Sequence, residues 1–258
     1  MKFFSKWFLI LTCLSVAKVE GQELIQIYPS DNTLFTQGFT LDDNNRLLLG
    51  TGQYGASKIG YLDLKSGQFT DKDFLDSDFF GEGITDTPYG IWQLTWKEGK
   101  AFLRDLDSFE VIKEADYDHE GWGITYDPQE DILWVSDGSS SLYKRDAETF
   151  NLIDKITISD NDGQVELLNE LEYANESIYA NVWYSSIILR IDPKKGQVIQ
   201  SFDFSQMIED THLTQEEREK MDVLNGIAHI EEDRFYITGK YYPVIYEVIM
   251  KSEEGANE

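Results

Sequence analysis

Cysteine is nearly missing from this chain of 258 residues: the only one is Cys13. A fold held by disulfides is therefore excluded, as is a thiol nucleophile beyond that segment. Histidine is scarce too. His119, His212 and His229 lack the spacing of metal ligands, which leaves no basis for a histidine zinc centre. Positive charge is in deficit, with 22 Lys and Arg against 48 Asp and Glu and a net charge of −26. That balance disfavours nucleic acid and anionic membranes as partners. Apart from one short apolar run near the start, no stretch approaches the length of a membrane span. Pro and Gly are not in excess, so general disorder is not expected. No G-x-S-x-G, P-loop or dinucleotide fingerprint occurs.

What is present begins with an export signal. Lys2 and Lys6 precede the apolar run Trp7 to Val16, and small residues follow, with cuts expected after Ala17 or Gly21. Residues 1–21 are read as a signal peptide, 22–250 as the folded domain and 251–258 as an acidic tail. Cys13 follows Thr12 and is not read as a lipoprotein site. An exported, periplasmic or secreted protein is expected, without a membrane anchor after cleavage, and as a monomer. Losing residues 1–21 removes three positive side chains and one negative one, which takes the charge to −28. Asn175-Glu-Ser177 is a glycosylation sequon, meaningful only in a eukaryotic host.

The remainder repeats itself. Gln37-Gly-Phe-Thr40, Glu82-Gly-Ile-Thr85, Trp122-Gly-Ile-Thr125, Asn169-Glu-Leu-Glu172 and Asn225-Gly-Ile-Ala228 open five segments, at intervals of 45, 40, 47 and 56 residues. Each opening is followed by an apolar strand ending at Gly52, Trp96, Gly138, Trp183 or Lys240. Asp63, Asp105, Asp146 and Asp192 then start turns of one plan, and each turn leads into a further strand. Four strands per repeat of this length is the content of a propeller blade. The chain is thus expected to be all-β, a five-bladed β-propeller with four-stranded antiparallel blades. The fifth repeat lacks a fourth strand, and Glu23 to Tyr28 is predicted to supply it and close the ring. One short helix is predicted near 207–221, where Thr214-Gln-Glu-Glu217 forms a capping-box pattern.

In a propeller the first strand of each blade lines the axis, so equivalent residues meet there. Gln37, Glu82, Trp122, Asn169 and Asn225 form one such ring; Gly52, Trp96, Gly138, Trp183 and Lys240 form a second. Taken singly, each has an ordinary explanation: a buried acid with backbone donors, core indoles, a surface lysine, turn asparagines. Their coincidence at repeat-equivalent positions points instead to a polar cluster walled by indoles, the make-up of a small-ligand site.

Seven motifs in order then carry a resemblance: Phe35-Thr-Gln37-Gly, Phe80-Gly-Glu82-Gly, Trp122-Gly, Leu168-Asn-Glu-Leu-Glu172, Asn181-Val-Trp183, Leu224-Asn-Gly-Ile-Ala228 and Thr238-Gly-Lys240. From about Tyr28 to Val248 the chain resembles the plant-type glutaminyl-peptide cyclotransferases, five-bladed propellers of plants and bacteria. The resemblance implies conversion of N-terminal glutaminyl residues of peptides to pyroglutamate with release of ammonia. It implies Glu82 as the catalytic acid and base, and Phe35, Gln37, Phe80, Trp96, Trp122, Asn169, Trp183 and Lys240 as substrate-binding residues. Trp92 competes with Trp96 for its position, and Trp96 is preferred on strand-end register. No cofactor is expected for catalysis; a structural metal ion in the channel is left open, with no ligands assigned. Two other readings remain: a non-catalytic propeller that binds peptide or carbohydrate in the same pocket, and a metal-dependent, lactonase-like propeller.

Overall fold

The inner strands are short, branched and alternately polar, and each is followed by a tight return. That pattern builds antiparallel sheets rather than crossovers. The computed structural model describes residues 21–251; the expected signal peptide up to residue 20 and the tail beyond Lys251 lie outside them. Among the described residues the strands form five four-stranded sheets. Four are consecutive in sequence, and the fifth takes Gln22–Pro29 as its outer strand, paired antiparallel with Val244–Met250. The early strand thus closes the ring as the repeat count required.

The innermost strands are Thr36–Leu41, Gly81–Thr87, Ile124–Asp127, Leu168–Ala174 and Leu224–Glu231. Two residues beyond each ring position stands a buried apolar side chain: Phe39, Ile84, Ile124, Leu171 and Ile227. Burial of each contributes about 1.5–3 kcal/mol, an upper estimate since unfolded chains already bury some surface. The motif glycine between ring residue and apolar residue reflects how close neighbouring blades come at the axis. A Cβ on Gly38 would lie 2.3 Å from the backbone nitrogen of Ile84, and one on Gly123 would lie 2.0 Å from the Asn169 carbonyl.

The fourth blade breaks this pattern by placing Glu170 where glycine is expected. Its carboxyl accepts the backbone N–H groups of Phe39 (3.2 Å) and Ile227 (2.9 Å), on the first and fifth blades. Glu172 accepts the N–H of His229 at 2.8 Å. These buried acids thus join three inner strands.

The outer turns use their aspartates as expected. Asp63, Asp105 and Asp146 each accept the backbone N–H three residues on, at 2.7–2.8 Å. The predicted single helix is corrected to two, Ser205–Asp210 and Gln215–Lys220. Thr214 and Glu217 do form the capping box, and such a box starts a helix, so it cannot sit inside one.

Candidate active site

Main-chain bonds set the second ring. The backbone nitrogens of Gly52, Trp96, Trp183 and Lys240 donate to the carbonyls of Phe35, Phe80, Leu167 and Val223 in the same blades. The strands themselves end one residue short of these positions, at Thr51, Thr95, Val182 and Gly239, so ring side chains leave from the mouths of loops. The two ring glycines act as seats. A Cβ on Gly52 would meet the Phe80 ring at 2.3 Å, and one on Gly138 would meet the Trp122 indole at 2.5 Å. The alternation of glycine and tryptophan in that ring is therefore complementary packing.

Above them lies a cavity of about 240 Å³ lined by Phe35, Gln37, Gln53, Phe80, Glu82, Trp96, Trp122, Asn169, Trp183 and Lys240. The structure brings all nine sequence-derived site residues to one place. It is smaller than the roughly 300–1,000 Å³ of drug-sized ligand sites, so it suits one small group or residue. Trp96 is on this wall, whereas Trp92 is fully buried between blades, its indole donating to the Ala147 carbonyl at 2.8 Å. Asn225 does not line the cavity. Its Nδ2 donates to the Thr36 carbonyl (3.1 Å) and to Gln37 Oε1 (3.2 Å), and Gln37 Nε2 in turn donates to Glu82 Oε1 at 3.0 Å. Asn225 therefore fixes which way the Gln37 amide faces.

Glu82 is the one carboxylic acid in the cavity lining. Burial pushes its pKa well above the ordinary value, Lys240 opposes that, and Glu120 and Glu98 add to it. Gln37 engages Oε1, and no protein donor reaches Oε2 among the described residues. Burial moves Lys240 the other way, below its usual range, against the pull of Glu82 and Asp222. Lys240 makes no ion pair among the described residues; its ammonium lies 4.7 Å from the Phe35 ring centre and 5.9 Å from that of Trp183. The low-dielectric wall thus brings an acid and an amine closer to neutrality, as suits proton transfer.

The sequence reading missed Gln53 and Glu120. Gln53 directly follows the ring residue Gly52, as Tyr184 follows Trp183 and Tyr241 follows Lys240, and all three take positive φ. Glu120 is outside the cavity lining but accepts both Trp96 Nε1 (2.8 Å) and Trp122 Nε1 (3.0 Å). A signal for it existed: Phe35, Phe80 and Glu120 stand two residues before their ring residues, so Glu120 is a charge in an apolar column. Among the described residues no group of three or more His, Cys, Asp or Glu is placed to hold a metal ion.

Fold and cavity together define the class: a five-bladed propeller with a small axial pocket carrying a single buried acid. The family model for glutamine cyclotransferase matches residues 10–250. A glutaminyl-peptide cyclotransferase of Arabidopsis thaliana is 35% identical over 236 residues, covering 91% of this chain and 72% of that one. The crystal structure of Myxococcus xanthus glutaminyl cyclase superposes with a TM-score of 0.75 at 31% identity, covering 88% of this chain and 95% of that one. The chain belongs to the glutamine cyclotransferase family. A gluconolactonase of Xanthomonas campestris, at TM-score 0.54 and 18% identity over 86% of this chain and 74% of that one, shares the fold alone.

Proposed function

We propose that this protein cyclises N-terminal glutaminyl residues of peptides to pyroglutamate, releasing ammonia, with Glu82 moving the proton. The observation that carries this is Glu82 itself: a buried acid lining a cavity sized for one residue, one oxygen steadied by Gln37 and the other unengaged. The substrate's α-amine must be neutral to attack, and such amines titrate near ~8. Its nitrogen bonds to the side-chain amide carbon as the carbonyl becomes an oxyanion. Glu82, ionised, takes the proton the amine loses. It passes that proton to the leaving amide nitrogen, the C–N bond breaks, and ammonia departs as the carbonyl re-forms. An acid whose pKa is raised is a better base when ionised and is matched to both halves of this transfer.

Trp96, Trp122 and Trp183 would exclude water and hold the substrate curled. Effective molarity in such closures is worth several kcal/mol. Lys240 is the favoured candidate to meet the oxyanion, since one N–H of Gln37 is committed to Glu82. Asn169 would bind the substrate backbone. No cofactor takes part in this scheme, and the protein acts as an exported monomer on peptide or protein substrates.

The test is ammonia release from Gln-Gln or a Gln-initiated peptide, with and without a chelator. Chelator-insensitive release supports the reading. Binding without release would favour a recognition propeller, and loss on chelation a metal-dependent one.

A further inference from the structure

Glu120 stands in the column of Phe35 and Phe80, whose side chains both line the cavity, yet it points a carboxyl where they present rings. The aromatic wall explains what that carboxyl meets. Phe80 contacts Trp96 at a ring-centre distance of 5.5 Å, and Trp122 meets Trp183 edge-on at 5.1 Å. Between Trp96 and Trp122 there is no ring contact among the described residues. One oxygen, Glu120 Oε2, closes that gap by accepting both indole N–H groups. The other oxygen faces Lys97 Nζ at 3.8 Å, and that ammonium also lies 3.8 Å from the Trp96 ring centre. Two rings on different blades are thus tied to a single atom.

The backbone that carries this carboxyl is itself held. The Arg145 guanidinium can only donate, so at 2.8 Å it makes His119 Nε2 an acceptor, and the ring proton sits on Nδ1, which donates to the Glu120 carbonyl at 2.7 Å. The His119 ring stacks on Tyr143 with centres 3.7 Å apart. Gly121 N donates to the Trp96 carbonyl at 2.9 Å, which ties this loop to the loop carrying the first indole.

We infer that Glu120 is a positioning residue for the cyclisation site, fixing the spacing and tilt of Trp96 and Trp122 so that the cavity holds the substrate in its curled form. This rests on the cyclotransferase reading of the cavity. Glu120 is outside the cavity; it positions through the indoles, while its charge separately adds to the upward shift of Glu82. Freed of it, each ring regains rotation about its side-chain bonds, and the cost falls on substrate binding more than on proton transfer.

The experiment combines kinetics on a Gln-initiated peptide with the indole N–H cross-peaks of the free protein, assigned from Trp96→Phe and Trp122→Phe. Glu120→Ala should raise KM about 10-fold or more with kcat within about threefold, and shift those two cross-peaks. Glu120→Gln keeps an accepting oxygen and should return KM to within about threefold of wild type. Glu120→Asp keeps the charge but is a methylene short, and should behave like Glu120→Ala; it carries the test if the alanine variant does not fold. Unmoved cross-peaks or wild-type KM in the alanine and aspartate variants would overturn the inference, as would a Gln variant as impaired as Ala. A wild type inactive on every Gln-initiated peptide overturns the cyclotransferase reading and this role with it. An active wild type with an indifferent Glu120→Ala overturns this role alone.

Discussion

Glu82 and Glu170 are both carboxylic acids on inner strands, both almost fully buried, and both pushed well above the ordinary carboxyl range by desolvation. They differ in what surrounds them. Glu170 gives its oxygens to two backbone N–H groups on other blades, and Glu172 adds like charge beneath it. Glu82 has one oxygen on a side-chain amide, an ammonium in the same cavity and no backbone donor. A perturbed acid is thus not by itself a catalyst. The one whose partners are all main chain holds blades together, and the one that keeps an oxygen toward a cavity can exchange protons with a ligand.

The sharpest way to break this contrast is to remove the cavity acid. Glu82→Ala should lower kcat by about 10²–10⁴-fold, the usual worth of a general acid–base group, with little loss of melting temperature. Next in size is Lys240→Met, expected to cost about 10²-fold in kcat/KM if the ammonium meets the oxyanion. It should also move the acidic limb of the pH–rate profile upward. Lys240 holds the Glu82 pKa down, so the ionised base would then appear only at higher pH. An unmoved limb would separate the two residues.

On the structural side, Glu170→Ala leaves the Phe39 and Ile227 N–H groups unpaired and should destabilise by about 1–3 kcal/mol in urea unfolding, while kcat of the folded fraction stays within about threefold. A pH-dependent test on the same strand belongs to Glu172, whose pKa burial raises to about 8 against the bond from His229. An acid with a raised folded pKa binds more protons folded than unfolded. Its contribution is therefore complete below the unfolded carboxyl range and is lost as pH climbs through about 8. Glu172→Gln should flatten the decline in stability between about pH 4.5 and 8. A decline of unchanged slope would show that Glu172 does not titrate there.

The same contrast shows what can be read from residues alone. Blade count, strand order and ring closure were legible because five repeats hold one phase, and a slip by one residue would turn every inner side chain to the wrong face. Nine of the ten cavity residues, all but Gln53, were legible because they occupy repeat-equivalent positions or belong to the motifs of the resemblance. Glu170 was not, because its position belongs to the glycine column and its bonds reach across the axis, where spacing carries no information. Asn225 looked equivalent to Asn169 but sits behind Gln37 and orients it. Glu120 was not legible because its column, two residues before each ring position, is not part of the repeated openings, and its contacts run to indoles on two different blades. The division of the insertion into two helices was not legible because a charged stretch shows where a helix can start more plainly than where the preceding one stops.

In the proposed reaction Glu82 moves a proton rather than only filling space, and Glu82→Gln separates the two. The amide keeps the size, the burial and an oxygen for the Gln37 donor, and loses only the ability to ionise and so to take up and return a proton. Ammonia release at saturating Gln-initiated peptide should fall by about 10²-fold or more with peptide binding and melting temperature held near wild type. Turnover close to wild type by a folded Glu82→Gln protein would contradict it.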